Sequence, residues 1–390
     1  MLKRTLLLSL AISFIFLCTV TAQQKVPGVV VDYQPASSKK YIGSPSLVIL
    51  PNGDYIASHD VFGSNSSSIS QAITKIFCST DKGKSWKQIS SIRGAFWNSL
   101  FVHEGNLYLL GPDREYGSVM IRKSSDGGKT WTKPRNKKSG VLLSGEYHCA
   151  PVPVVKYRGR LWRPMETAYG PVRKWGKRFG AMVMSAPVGA DLLKAKSWQT
   201  SSVLLYDSTY LKGNFGGWLE GNFVVDKENR MWNILRVDDR STLEEKAAMV
   251  RISDDGKRLS FNPETGFIDF PGGSKKFVIK FDSTSGYYWT LVNAIPEAYQ
   301  LKHPDKNPSA IRNVLMLRKS KNLKDWEDVQ IILQHDDVKH FGFQYVDWLF
   351  EEDDIIILSR TAYFDGKHNA HNAHDANFLT FHRIKDFRDL

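Results

Sequence analysis

Two eight-residue stretches, Ser79-Thr80-Asp81-Lys82-Gly83-Lys84-Ser85-Trp86 and Ser124-Ser125-Asp126-Gly127-Gly128-Lys129-Thr130-Trp131, obey one pattern, S-x-D-x-G-x-[ST]-W. The residue types suit a tight turn between strands. Asp and Ser oxygens can accept from turn amides, Gly takes a left-handed conformation, and the closing Trp packs between neighbouring sheets. Fainter copies follow at Ser197-Trp198, at Ser253-Asp254-Asp255-Gly256 ahead of Phe261, from Ser320 to Trp326, and at Lys385-Asp386-Phe387. Aromatic markers therefore recur at 86, 131, 198, 261, 326 and 387, a spacing that holds four short strands and their loops per unit.

Between the markers lie six hairpins of apolar β-type residues: Leu47 to Ser58, Leu100 to Leu110, Pro151 to Trp162, Asn222 to Leu235, Phe277 to Val292 and Tyr345 to Ser359. Hairpin, third strand, Asp-bearing turn, fourth strand is the order of a propeller blade. The expected fold is all-β, a β-propeller of six four-stranded blades forming one domain over residues 23–390. The last unit stops at Phe387 without a fourth strand, and Val29-Val30-Val31-Asp32-Tyr33 is expected to supply it and close the ring. A seventh blade could hide in the long interval from 131 to 198.

Composition narrows the class of function. With 42% hydrophobic and 24% charged residues in 390, the chain is far from disordered or fibrous and can bury a large core. A charged start at Lys3 and Arg4, an apolar run from Leu6 to Val20, and small residues up to Ala22 read as a secretory signal peptide over residues 1–22, cleaved after Ala22. No later stretch nears the roughly 18 apolar residues of a membrane span, so a secreted or periplasmic protein is expected. Loss of Lys3 and Arg4 lowers the formal charge from +13 to +11 and leaves Cys78 and Cys149, enough for at most one disulfide. Such a cationic exported chain points to an acidic polysaccharide or to plain solubility. Nucleic acid is not an expected partner, because no dense Lys/Arg block is present. A closed ring leaves no sheet edge to pair, so a monomer is expected.

In a propeller the innermost strand of each blade and its hairpin partner begin and end on one face, so residues flanking them converge around the axis. The rule selects Ser44, His59 and Asp60; Asn98, Asp113 and Arg114; Tyr147, His148 and Glu166; Trp218, Glu220, Asn222, Arg236 and Asp238; Lys275 and Asn293; and Phe343, Gln344, Arg360 and Tyr363. This ring suits a sugar: aromatic faces stack on pyranose rings, amides bond hydroxyls, and Arg236 or Arg360 could clamp a uronate carboxylate. Asp60, Asp113 and Asp238 could equally cap turns, Trp218 could be packing, and Glu166 could pair with Arg236. His59 and His148 carry imidazoles able to move protons near neutral pH. Glu166 and Glu220 could act as acid and nucleophile if about 5 Å apart. In the loop from His368 to Asn377, the side chains of His371, His374 and Asp375 could ligate a structural metal ion or be turn residues; no cofactor is otherwise required.

The two full stretches resemble the Asp-boxes of the sialidase-like superfamily, which mark a fold rather than a reaction. Sialidases carry an arginine in an R-I-P motif ahead of the first box. Here Tyr41-Ile42-Gly43-Ser44-Pro45 occupies that region and no arginine occurs from Gln23 until Arg93, so sialidase activity is not expected. Six stretches resemble another branch: Gly43-Ser44-Pro45-Ser46-Leu47 with Pro51 to Asp60, His148-Cys149-Ala150-Pro151, Glu220-Gly221-Asn222, Asn233 to Arg236, and His374-Asp375-Ala376-Asn377. That branch comprises secreted propellers acting on rhamnose-uronate linkages, namely the α-L-rhamnosidases that uncap glucuronic acid on arabinogalactan and the ulvan and rhamnose-glucuronate lyases. The resemblance implies a histidine acid/base in the rhamnosidases, matched by His59. It implies histidine and tyrosine proton transfer with arginine neutralisation in the lyases, matched by His148 and Arg236. No tyrosine is expected near Glu220. Seven blades are described for that branch.

Three readings stay open. The first is an exo-glycosidase removing terminal α-L-rhamnose from glucuronic acid, with His59 as proton donor and Arg236 on the uronate. The second is a lyase in which Arg236 or Asn222 neutralises the C5 carboxylate while His148 or His59 takes the C5 proton. The third is a sugar-binding propeller without catalysis.

Overall fold

The computed structural model describes residues 25–390 except 240–244, 296, 303 and 305; the signal-peptide reading of residues 1–22 lies outside the described residues. Six antiparallel sheets follow one another along the chain. Blade I comprises Tyr41–Ile49, Tyr55–Phe62, Ile73–Ser79 and Lys87–Arg93. Blade II comprises Ser99–His103, Asn106–Pro112, Val119–Ser124 and Val141–Leu143. Blade III has its innermost strand in two pieces, Tyr147–His148 and Val155–Tyr157, followed by Arg160–Thr167, Gly180–Pro187 and Gln199–Thr200. Blade IV runs Phe215–Val225, Met231–Asp239, Lys246–Ile252 and Leu259–Ser260, with Phe267–Asp269 added beside its third strand. Blade V runs Ile279–Asp282, Tyr287–Val292, Val314–Ser320 and Trp326–Gln334. Blade VI runs Gly342–Glu351, Asp354–Ala362 and Phe378–Ile384, and its outer strand is the N-terminal Val29–Tyr33, paired Val29 to Phe381 and Tyr33 to Phe378.

The count is therefore six, and the interval from 131 to 198 holds blade III with long connections rather than a seventh sheet. All six sequence hairpins are the inner strand pairs of blades, and the ring closes through the N-terminal strand. The described helices are short, the longest being Glu297–Lys302. Among the described residues Cys78 and Cys149 are both free thiols, so no disulfide joins them.

The Asp-box turns show how the repeat works. Ser79 Oγ donates to Asp81 Oδ1 (2.7 Å) and accepts from Gly83 N (2.8 Å), while Asp81 accepts from Ser85 N (2.9 Å) and Ser85 Oγ (2.6 Å). Ser124, Asp126, Gly128 and Thr130 repeat the same four bonds at 2.8, 2.8, 2.9 and 2.6 Å. These bonds hold both carboxyls down to about 2. A third box survives in blade V with Asn322 for Asp and Leu323 for Gly, and Leu323 keeps the left-handed backbone (φ 67) that glycine would take at lower cost. The six aromatic markers then divide one per inter-blade core: Trp86, Trp131, Trp198, Phe261, Trp326 and Phe387 each pack in a different cluster. The turn thus delivers one large ring to each seam, where a blade buries the flank it shares with its neighbour.

Candidate active site

Three inner strands carry the same irregularity at their axial ends. The register slips between Ile42 and Pro45 in blade I, between Leu219 and Asn222 in blade IV, and between Gln344 and Asp347 in blade VI. A bulge of this kind re-aims the side chain it holds. In blades IV and VI the bulged residues are Glu220 (φ 53) and Tyr345 (φ 51), both in the left-handed region that costs a non-glycine residue roughly 1–2 kcal/mol. In blade I the bulge holds Gly43, and the vacant side-chain position is filled by Asp60, whose Oδ2 lies 2.2 Å from where a Gly43 Cβ would stand.

Around these bulges three arginines converge on one tyrosine. Arg236 Nη1 donates to Glu220 Oε2 at 3.0 Å and to Tyr345 Oη at 3.3 Å. The Arg360 guanidinium carbon lies 4.8 Å from the centre of the Tyr345 ring and 4.5 Å from that of Phe62, and the Arg312 carbon lies 5.5 Å from the Tyr345 ring. Gln344 holds the assembly: its Oε1 accepts from Arg312 Nη1 at 2.7 Å and its Nε2 donates to the His374 carbonyl at 2.9 Å. Arg360 Nη2 lies 3.2 Å from the His374 ring. All three guanidiniums are nearly excluded from solvent, and the Nε–H of each has no hydrogen-bond partner. Three guanidiniums around one phenol concentrate positive charge and hydrogen-bond donors suited to an anionic group. Burial pulls Arg312 down to about 10 and lowers Arg360. Arg236 is also opposed by burial, but Glu220 and Tyr345 outweigh that and hold it above its ordinary range. A cleft of about 490 Å³, bounded by Arg312, Lys339 and His374, opens beside the cluster.

Asp60 completes the group. Burial pushes its carboxyl up to about 7, against Arg360 and the backbone amides of Asp60 and Trp97, which favour the anion. A carboxyl that is half protonated near neutrality is suited to general acid/base work. Behind Glu220 stands a second carboxylate: Glu166 accepts from Gly221 N at 3.3 Å and from His148 Nδ1 at 3.0 Å. The His148 ring is enclosed by Phe179 (4.2 Å between centroids) and Trp97 (4.5 Å).

The axial rule thus brings together Glu220, Arg236, Gln344 and Arg360, with His148 and Glu166 adjoining. Other candidates go elsewhere. His59 is fully buried, with Nε2 2.8 Å from Asp32 of the closing strand, Nδ1 2.9 Å from the Asp60 carbonyl, and its ring against Phe77. Successive strand side chains point to opposite faces, so it is Asp60 that turns to the arginines while His59 turns to the seam between blades I and VI. Trp218 is fully buried in the seam between blades III and IV and donates to the Leu205 carbonyl. Asn222 bonds the Phe277 carbonyl and Ile279 amide, tying blade IV to blade V. Asn98 donates to the Phe96 carbonyl, Tyr147 packs in the seam between blades II and III, and Arg114 is exposed and paired with Asp113 at 3.0 Å. Asp375 lies 2.8 Å from His374 and 3.8 Å from His371. Among the described residues no three His, Cys, Asp or Glu side chains gather in a metal-holding group, and the His374 ring faces the Arg360 cation instead.

Two members of the cluster escaped the sequence reading, Arg312 and Tyr345, while Asp60 was selected by the axial rule and left open between the site and a turn cap. Arg312 lies on the connection from Pro308–Ala310 into blade V, not at a hairpin end. Tyr345 begins its hairpin and corrects the expectation that no tyrosine approaches Glu220. Aligning the blades would have found it, since Gly43, Glu220 and Tyr345 occupy one bulge.

No family model matches the chain, and no curated protein matches it. Solved structures do. The α-L-arabinanase of Penicillium chrysogenum, complexed with arabinobiose, has a TM-score of 0.57 at 14% identity, covering 93% of this chain and 98% of that one. The α-L-arabinofuranosidase of Fusarium graminearum, also with arabinobiose, has a TM-score of 0.53 at 13% identity, covering 92% and 97%. A Hadza microbial sialidase has a TM-score of 0.59 at 14% identity, covering 92% of this chain and 68% of that one. The chain is a six-bladed β-propeller, similar in fold to these arabinan-degrading enzymes and to this sialidase.

Proposed function

We propose that the protein is an exo-acting glycoside hydrolase that retains configuration and acts on a terminal sugar bearing a carboxylate. One observation carries this reading: three buried arginines surround Tyr345, and Arg236 bonds both its hydroxyl and Glu220. A carboxylate held by these guanidiniums would sit beside the nucleophile. An anionic nucleophile would meet repulsion there, whereas a phenol stays neutral until its proton leaves, which is the chemistry of the tyrosine-nucleophile sialidases. In this mechanism Glu220 accepts the Tyr345 proton, the phenolate oxygen attacks the anomeric carbon, and Asp60 protonates the departing oxygen. Water, deprotonated by Asp60, then displaces the sugar from the tyrosine oxygen, and Glu220 returns its proton to the departing phenolate. The arginine lacking from blade I is replaced by Arg360 of blade VI, so the gap from Gln23 to Arg93 does not deprive the site of a third guanidinium. The arabinanase and sialidase neighbours favour carbohydrate hydrolysis in general.

Tyr345 beside Arg236 also supplies the pair that a β-eliminating lyase uses, and one experiment separates the readings. The mature protein is incubated with aryl α-sialosides, aryl β-glucuronides, gum arabic and ulvan, and scored for released sugar and for the low-ultraviolet absorbance of an unsaturated uronate. Free acidic sugar without absorbance supports the proposal. Free rhamnose would return the assignment to the rhamnosidase branch, absorbance would make it a lyase, and release of arabinose alone would overturn the acidic-sugar reading.

A further inference from the structure

The connection between the second and third strands of blade III stands over this site and has no part in the chemistry above. From Tyr169 to Phe179 it carries Arg173, Lys174, Lys177 and Arg178 and no acid. Its backbone is seated on blade IV: a Cβ on Gly176 would fall 2.5 Å from the Gly216 oxygen, and one on Gly217 would fall 2.1 Å from the Gly176 oxygen. That seat lies just ahead of Glu220. Arg178 fixes the returning end by donating to Glu146 and to the Ala168 carbonyl, both at 2.7 Å.

So held, Trp175 rests with its ring centre 6.0 Å from the Arg236 guanidinium carbon and edge-on to Phe179. It is nevertheless 42% exposed. Arg236 bonds Glu220 and Tyr345, and the indole stands beside this same guanidinium with part of its surface open to solvent. An aromatic ring fixed at that point, flanked by cations, has the composition of a sugar-binding platform with acidic preference.

We propose that residues 169–178 form the subsite for the sugar on the leaving side of the scissile bond, with Trp175 as stacking platform and Lys174 favouring an acidic polymer. The proposal rests on the reading of the arginine cluster as the reacting site, and a binding experiment separates the two. Affinity electrophoresis of the Tyr345→Phe protein is run in gels containing gum arabic, ulvan or sialylated mucin. At least one polymer is expected to retard it. Trp175→Ala should weaken that binding roughly tenfold, the scale of one aromatic contact, and Trp175→Phe should restore most of it. Lys174→Glu should weaken it too, by a factor that shrinks in 0.5 M salt as screening sets in. Equal retardation of Trp175→Ala and its parent, or no retardation by any of the three polymers, overturns the proposal. Retardation of a parent whose wild-type form hydrolyses no glycoside would leave this subsite standing and remove the proposed reaction.

Discussion

Replacing Asp60 by Asn should make the protein more stable and less active at once. Burial pushes this carboxyl from the ordinary 3.8 up to about 7. A carboxyl that holds its proton more tightly folded than unfolded stabilises the fold below the unfolded value. It withdraws that contribution as pH rises through the folded one, here between 3.8 and about 7. A gap of about three pH units at 1.36 kcal/mol each amounts to about 4 kcal/mol, of which about 2.5 kcal/mol is lost between roughly pH 5 and pH 8. Asn keeps the shape and a carbonyl acceptor for the Trp97 amide but does not ionise. Urea unfolding followed by tryptophan fluorescence should therefore show the Asn variant gaining on its parent by about 2.5 kcal/mol from about pH 5 to pH 8. Turnover of glycosides with poor leaving groups should meanwhile fall about a hundredfold to ten-thousandfold. A stability difference that stays flat over this range would mean that Asp60 titrates as an ordinary carboxylate, and its role as the acid would be refuted.

Tyr345→Phe and Glu220→Gln should each reduce kcat about a thousandfold or more, and the double variant should be little worse than either, because the two act as one unit; independent, multiplying losses would contradict the pairing. Arg360→Ala should raise KM for acidic glycosides about tenfold or more, on the scale of a charge-assisted hydrogen bond, while a neutral arabinoside serves as the control that should not respond. Asp32 joins the closing strand to blade I through His59 Nε2 (2.8 Å) and Lys75 Nζ (2.7 Å). Burial works against its charge, but these two partners outweigh it and hold the carboxyl well below 3.8. Its stabilisation is therefore present above that value and lost as pH falls below it, and calorimetry of Asp32→Ala near pH 7 should show a loss of about 3 kcal/mol, with little difference from wild type in strong acid.

The ring was legible because its determinants are local. Each Asp-box turn bonds within about six residues, and each marker aromatic lands in its own seam, so spacing alone counted the blades. Val29–Tyr33 could be placed because blade VI lacked a strand. The site was legible only to the resolution of a strand end. His59 and Asp60 are adjacent, and which of them faces the axis depends on a one-residue alternation that the bulge at Gly43 helps to set. Tyr345 and Glu220 point inward because their backbones adopt positive φ, a choice that neither residue type announces. Arg312 reaches the cluster from a connection whose path only the fold determines.

The most direct measurement is to trap the covalent intermediate. Wild-type protein is treated with a fluorinated, activated glycoside of the acidic sugar that it hydrolyses fastest, digested, and mapped by mass spectrometry. The account predicts one sugar on the peptide containing Tyr345, absent from the Tyr345→Phe protein. Labelling of Glu220 or Glu166 instead would contradict it and point to a paired-carboxylate hydrolase.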